Sequence, residues 1–414
     1  MPRRPLPADP MVRELIQAAR RTALSRRSLL TGGLGLSAAG ALAACAPPPL
    51  PPAKGAQAVE LPKDVSATDR VVRWANWTAY LDEDEEIKGK YPSLEGFEKK
   101  TGIKATYSVD IEDNDSYVNK VRPQLQARQD ISRDIFTLTD WMAGRVIRDQ
   151  LVQPLELIRM PNCSNILDAL KEVSFDPGRQ YSMTWQSGFA GIGYDREKVG
   201  KELKSLDDLW SIPELKGKIV VLSEMRDTVG LIMQQQGVDI SGQFTKEQFE
   251  KAVAEVEKRV ADGWIRRIKG NSYLEDLKSG NAIAGIVWSG DLFVLRAETE
   301  NDNWQFVIPE SGGTLWSDNM MVPITSTHRR NAQELMNYYY DPVVAAQVAA
   351  WVNYVCPVQG AQEVMAKEDP ELAQSPLIFP TADFISKSNI QGFRALTPQE
   401  DADYSALWEK VRGN

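Results

Sequence analysis

The chain predicts an α/β fold of open sheets shared between two domains. Three observations carry that expectation. Residues 71–107 run as a short apolar strand (71–75), a helix near 94–100 and a second strand after Gly102, which is a βαβ unit whose parallel strands require a crossover. Strand-like runs return at 135–138, 219–222 and 282–288, and the Ile219-Val220-Val221-Leu222 run is continuously apolar, as suits a parallel strand covered on both faces. Finally, 414 residues exceed what one core usually organises.

The amino terminus reads as an address. Arg20, Arg21, Arg26 and Arg27 precede a Gly/Ala-rich apolar run at 29–42 that ends Leu42-Ala43-Ala44-Cys45. A charged segment, a short apolar segment and small residues before a cut describe a secretory signal, so residues 1–44 are expected to be removed. Ser25-Arg26-Arg27-Ser28-Leu29-Leu30 resembles a twin-arginine export signal, and Leu-Ala-Ala-Cys resembles the lipobox of bacterial lipoproteins, which makes Cys45 the expected lipidated first residue. Residues 45–68 are Pro/Ala-rich and have too little apolar bulk to fold, as expected of a tether. The domains are then expected outside the cell membrane, anchored through Cys45.

The first strand delivers Asn76-Trp77-Thr78-Ala79-Tyr80 to its carboxyl end, where open α/β sheets meet their ligands. The strand at 135–138 ends in Thr139-Asp140-Trp141 before a helix over 141–150. A strand over 189–194 follows Trp185-Gln186-Ser187-Gly188. The strand at 219–222 delivers Ser223-Glu224-Met225-Arg226-Asp227 ahead of a helix at 229–236, and here two carboxylates within four residues favour a site. Glu224 leans to ligand contact, whereas Asp227 is equally suited to capping that helix, where the exposed amides and the dipole favour an acid. Thr245-Lys246-Glu247-Gln248 is a capping box, and Phe249, Val253, Val256 and Val260 form the core stripe of the helix it opens.

The strand at 282–288 ends Trp288-Ser289-Gly290-Asp291. Strands at 303–308 and 315–322 follow, the second presenting Trp316 and Asp318 on one face by strand alternation. Helices are expected at 332–340 and 343–352, followed by a loop containing Tyr354. Adjacent Tyr338, Tyr339 and Tyr340 diverge by about 100° each on a helix and are read as packing.

Composition narrows the chemistry. The chain is 43% apolar and 25% charged, with no run of about 18 apolar residues to span a membrane in the mature form. Net charge is −9, and because residues 1–44 hold seven basic and two acidic side chains, the remainder carries 41 basic against 55 acidic groups, or −14. An acidic body argues against nucleic acid and mildly favours a cationic ligand. Cys163 and Cys356 lack the spacing of a zinc or redox motif; export permits a disulfide, and two buried free thiols are equally open. The one histidine, His328, lies in the polar turn Ser326-Thr327-His328-Arg329-Arg330 and is expected at the surface. Histidine-dependent triads and metal sites therefore have almost nothing to work with, and no Gly-x-Ser-x-Gly elbow, P-loop or His-Glu-x-x-His occurs. No metal, cofactor or catalytic residue is assigned.

Asn76-Trp77-x-x-Tyr80, Phe97, Thr101-Gly102-Ile103-Lys104, Thr139 with Trp141, and Trp316-x-Asp318, in this order over roughly residues 70–412, resemble the spermidine/putrescine-binding proteins of bacterial ABC importers. The resemblance implies a two-lobed, type II periplasmic-binding-protein-like fold with the ligand in the cleft between lobes. Lobe 1 would comprise 69–188 plus 317–360 and lobe 2 would comprise 189–316 plus 361–414. It implies a monomeric lipoprotein that binds a polyamine and hands it to a membrane permease without doing chemistry. The ligand-binding residues it implies are Trp77, Thr78, Tyr80, Thr139, Trp141, Glu224, Asp227, Trp288, Trp316, Asp318 and Tyr354.

The chemistry agrees. Buried ammonium groups need carboxylates, and methylenes and cations alike suit aromatic faces, at about 0.5–2 kcal/mol per cation–π contact. One departure is visible: spermidine-binding members carry Glu in the aromatic loop where this chain has Ala79, so a diamine is expected to bind at least as well as a triamine unless Asp82, Asp110 or Asp113 replaces that acid. Two other readings stay open: a carrier for a sugar or another organic amine, and a surface-anchored hydrolase using Glu224, Asp227 and Asp318 as acid and base.

Overall fold

A computed structural model describes residues 60–84 and 86–413; the expected signal segment 1–44, Cys45 and the tether up to residue 59 lie outside them. The backbone of the molecule is one twisted mixed sheet. Its main strands are β1 (Val71–Trp77), β2 (Lys104–Ile111), β3 (Ile135–Thr139), β4 (Ser182–Asp195), β5 (Ile219–Leu222), β6 (Ile265–Lys269), β7 (Ala284–Trp288), β8 (Trp304–Val307) and β9 (Thr314–Met321). They lie in the order β2-β1-β3-β9-β4-β7-β5-β6, with β8 paired to β4. The two ends, β2-β1-β3 and β7-β5-β6, are parallel, as their crossover helices require, and the antiparallel pair β4/β9 joins them.

This arrangement is the two-lobed periplasmic-binding-protein fold. Asp318–Met321 of β9 pairs with β3, while Ala190–Tyr194 of β4 pairs with β7. The two long strands therefore run side by side between the two parallel ends of the sheet, with Ser187 opposite Ser317 and their register broken by a bulge between Ser317 and Asn319. Every parallel strand on either side points its carboxyl end at the gap between lobes.

Helices cover both faces. In lobe 1 they are α1 (Pro92–Thr101), α2 (Asn114–Gln126), α3 (Asp140–Arg148), α4 (Arg329–Tyr339) and α5 (Pro342–Val352). Lobe 2 carries a helix over Met225–Gln235 and another over Lys246–Ala261, whose Thr245/Gln248 capping box forms as its sequence requires. Phe249, Val253 and Val256 are buried, whereas Val260 is exposed at the stripe's end. Tyr404 of the last helix, Pro398–Arg412, stacks on Phe249 at 4.0 Å and 10°, fixing that helix to lobe 2.

Three expectations need correction. The strand expected over 189–194 begins at Ser182, because the polar Ser182 and Thr184 of its first half are buried against a buried arginine that bonds them. Arg179 donates to Ser182 Oγ (3.2 Å), Thr184 Oγ1 (2.7 Å) and Asn319 Oδ1 (2.8 Å), a partnership no local pattern announces. The lone histidine is not at the surface: His328 is 3% exposed, with Nδ1 3.1 Å from Asp134 Oδ1 and Nε2 3.0 Å from Asp69 Oδ2. Asp134 also accepts the backbone N–H of Arg73 and the Ser326 hydroxyl, so the polar turn pins β1, β3 and α4 together at the strand ends remote from the cleft. Third, the helix after β5 starts at Met225, which places Glu224 at the N-cap and Asp227 in the first turn.

Cys163 and Cys356 are both free and buried, which resolves the two alternatives left open by their spacing. The three tyrosines of α4 and its end are buried packing, with Tyr340 donating to the Thr184 carbonyl at 2.6 Å. Among the described residues no helix is long and apolar enough to cross a membrane.

Candidate functional site

Between the lobes lies a cleft of about 630 Å³, a volume that includes space open to solvent. Its wall contains all eleven residues named above as ligand-binding: Trp77, Thr78, Tyr80, Thr139, Trp141, Glu224, Asp227, Trp288, Trp316, Asp318 and Tyr354. They arrive from separate strand ends. Trp77 closes β1 with Thr78 and Tyr80 after it, Thr139 closes β3 with Trp141 after it, Glu224 and Asp227 follow β5, and Trp288 closes β7, while Trp316 and Asp318 share a face of β9 as alternation requires.

The aromatic rings form a continuous collar. Trp77 meets Trp288 edge-on at 6.0 Å, Trp288 meets Trp316 at 6.4 Å, Trp316 meets Tyr354 at 5.2 Å, and Tyr354 meets Tyr80 at 5.3 Å. Edge-to-face packing of this kind is one of the arrangements that aromatic pairs prefer. Two glycines make the collar possible. A Cβ on Gly188 would stand 2.5 Å from Trp316 Cζ2 and 2.7 Å from Tyr354 Cδ1, and one on Gly290 would stand 2.6 Å from Tyr354 Cε2.

Carboxylates stand between the rings. Asp227 does not cap its helix; its two oxygens accept the Trp288 indole N–H (2.9 Å) and the Thr314 hydroxyl (2.8 Å). Asp318 Oδ2 accepts the Tyr80 hydroxyl at 3.0 Å, and its Oδ1 is buried without a hydrogen-bond partner among the described residues. Glu224 Oε1 accepts both the backbone N–H (2.9 Å) and the side-chain amide (2.8 Å) of Asn114, so this acid from lobe 2 also docks on the first turn of α2 in lobe 1.

Sequence reasoning missed two acids of the wall, Asp140 and Asp291. Asp291 opens the helix after β7 and is 1% exposed; it accepts from Tyr354 (2.7 Å), Tyr273 (2.7 Å) and Asn271 (3.3 Å). The signal was present, since Asp291 follows the strand-ending Trp288 by three residues, but one acid at a helix start reads as a cap until the fold brings Tyr273 and Tyr354 to it. Asn271, Asp140, Arg226, Thr314, Leu315 and Phe393 also line the cavity.

None of the acids considered as substitutes for the family glutamate enters the wall. Asp82 accepts the backbone N–H of Ser93 and the side-chain amide of Gln347, Asp110 pairs with Arg133, and Asp113 caps α2 and pairs with Arg412. Ala79 itself sits in left-handed backbone (φ 51°), between two wall residues but outside the wall.

Burial governs the titration of these acids. Loss of hydration pushes Glu224 up to about 8, with repulsion from Asp113 and Asp115 adding to it. The same cause pushes Asp318 up to about 7, and Asp227 and Asp291 each up to about 6, the hydrogen bonds they accept opposing the rise. Among the described residues none of the four forms an ion pair within 4.0 Å. Buried acids of this kind favour a cation brought from outside, which would supply the missing charge and take up the open oxygen of Asp318.

Comparison with known proteins gives the same family. Residues 93–380 match the family model described as bacterial extracellular solute-binding protein. The chain is 27% identical over 342 residues to the spermidine/putrescine-binding periplasmic protein of Escherichia coli, covering 82% of this chain and 91% of that one. It is 24% identical over 364 residues to the putrescine-binding periplasmic protein PotF of the same organism, covering 84% and 93%. Its fold is shared with the spermidine/putrescine ABC transporter substrate-binding protein PotD of Streptococcus pneumoniae, with a TM-score of 0.64 and 23% identity over 83% of this chain and 99% of that one. Two lobes, a cleft walled from strand ends and a family match over most of the described chain lead to one conclusion: the protein belongs to the bacterial extracellular solute-binding proteins, which carry a solute and do not transform it.

Proposed function

We propose that the protein captures a polyamine in the interlobe cleft and delivers it to the membrane permease of an ABC importer. The observation that carries this reading is the set of buried acids, Asp227, Asp291, Asp318 and Glu224, which form no ion pair among the described residues and stand within a collar of tryptophan and tyrosine rings. An alkyl amine with charged ends meets both demands. Its ammonium groups neutralise buried carboxylates, and its methylenes lie against aromatic faces. A sugar would hydrogen-bond to the same oxygens but leave their charge uncompensated. The names of the relatives support the polyamine, and their context supports the importer.

In this reading the eleven predicted residues and Asp291 contact the ligand, with the lobes divided at residues 188 and 317 and closing across Asn114 and Glu224. Cys45 carries the lipid that holds the protein, as a monomer, at the outer face of the cell membrane. A thermal-shift screen of the chain from Glu60 onward against putrescine, spermidine, sugars and amino acids tests it. Ligands that bind the folded state raise the melting temperature, by about 2.7 kcal/mol of added stability at a hundredfold excess over Kd. Polyamines should raise it, and a sugar or neutral amino acid raising it while polyamines do nothing would overturn the assignment.

A further inference from the structure

The cleft is electrostatically lopsided. Asp227, Asp291 and Asp318 are tied through hydrogen bonds to Trp288, Tyr354 and Tyr80, and have no ion-pair partner among the described residues. The remaining wall, around Trp141, already contains its own cation. Arg226 lines the cavity with its side chain 12% exposed, and its guanidinium carbon lies 4.1 Å from the centre of the Trp141 ring. The guanidinium of Arg145 lies 4.8 Å from the same ring.

Both cations are locked. Asp401, on the C-terminal helix of lobe 2, accepts from Arg226 (2.9 Å) through one oxygen and from Arg145 (2.7 and 3.1 Å) through the other. Asp115 holds the far side of Arg145 at 2.7 Å. Arg226 also occupies the first turn of its helix, where the dipole disfavours a cation. Its position is therefore maintained by Asp401 and Trp141, against the local preference.

We infer that Arg226 is a specificity-determining residue: its guanidinium takes the aromatic surface of Trp141 that a third ammonium would otherwise use, and so restricts the cleft to an alkyl diamine. The inference rests on the polyamine reading and refines it. A diamine places its two charges among Asp227, Asp291 and Asp318. A triamine must run a further charged arm towards Trp141, where it meets a fixed positive charge and a ring already engaged. The other acids at that end have partners: Glu224 Oε1 is held by Asn114, and Asp140 accepts the backbone N–H of Trp141 at 2.7 Å.

Calorimetry with putrescine and spermidine on the wild-type chain, Arg226→Met and Arg226→Lys tests this. Asp401 keeps Arg145 as a partner in either variant, so no buried acid is stranded. The wild type should bind putrescine at least as tightly as spermidine. Arg226→Met should move the ratio of the two dissociation constants towards spermidine by about tenfold or more, equivalent to about 1.4 kcal/mol. Arg226→Lys, which keeps a cation at that end, should leave the ratio close to that of the wild type. A structural role alone would alter both ligands together and would not separate Met from Lys.

An unchanged ratio in Arg226→Met, or tighter spermidine binding by the wild type, would overturn the inference and give the third ammonium to Asp140 or Glu224. Should the Met variant fail to fold, as read by its melting curve, Arg226→Gln serves for the same comparison. A wild type that binds neither amine would sink the polyamine reading instead, so the two failures are distinguishable.

Discussion

Asp318→Asn separates a ligand-holding acid from a structural one, because the two roles predict opposite changes. Asp318 is 4% exposed, with Oδ2 on the Tyr80 hydroxyl and Oδ1 open. An ammonium at about 3 Å from that oxygen, in an effective dielectric of about 20, interacts by about 5.5 kcal/mol, from which the desolvation of both groups is subtracted. Truncating one partner of such a buried pair costs about 2–5 kcal/mol, so the dissociation constant for a polyamine should rise by about 30-fold to several thousand-fold. The empty protein should respond in the other direction. Burial raises the Asp318 carboxyl from 3.8 to about 7, so between those values the folded state holds a proton that the unfolded chain has released, and stability falls as pH rises through that window. Asparagine has no charge to bury. The empty variant should therefore gain melting temperature relative to wild type at pH 8 and gain little at pH 5. Calorimetry and paired melting curves at the two pH values measure both effects. Unchanged affinity, or a variant destabilised equally at both pH values, would refute the argument.

Other consequences follow from the same charges and contacts. Because Asp227, Asp291, Asp318 and Glu224 sit at about 6, 6, 7 and 8 in the empty cleft, a bound cation must expel protons; affinity for a polyamine should rise from pH 5.5 to 8, with proton release visible as a dependence of the binding heat on buffer ionisation. His328→Ala removes a buried link between Asp134 and Asp69 and should cost about 1–3 kcal/mol in denaturant unfolding while polyamine affinity is retained, since the link lies at the strand ends away from the cleft. Cys45→Ser should release the protein from the membrane fraction with its affinity intact, and a variant that stays on membranes would remove the lipid anchor from the proposal.

Local chemistry was enough to read much of this protein from its sequence. Buried parallel strands are apolar over their whole length, and ligand sites in open α/β sheets lie at strand ends. Position marked Trp77, Tyr80, Asp227, Trp288 and Asp318 as lying at or near strand ends, the family resemblance named them as a ligand set, and the structure brings them to one cavity wall. Alternation likewise put Trp316 and Asp318 on one face without knowledge of their neighbours.

What the sequence could not settle were partnerships between residues far apart in the chain. Asp227 was balanced between cap and site until Trp288 and Thr314 came within hydrogen-bond reach, and Asp291 became a site acid only through Tyr273 and Tyr354. The polar first half of β4 needed Arg179, and His328 needed Asp134 and Asp69, before burial was possible for either. A polar or charged group enters a core only where other chain segments supply its hydrogen bonds. Strand and helix pattern is written in neighbouring residues, and so the sequence by itself determined the α/β strands and which residues stand at their ends, while the family resemblance supplied the two lobes and the cleft; which buried charges are paired and which are not depends on side chains as distant as Arg226 and Asp401, and only the tertiary structure decided that.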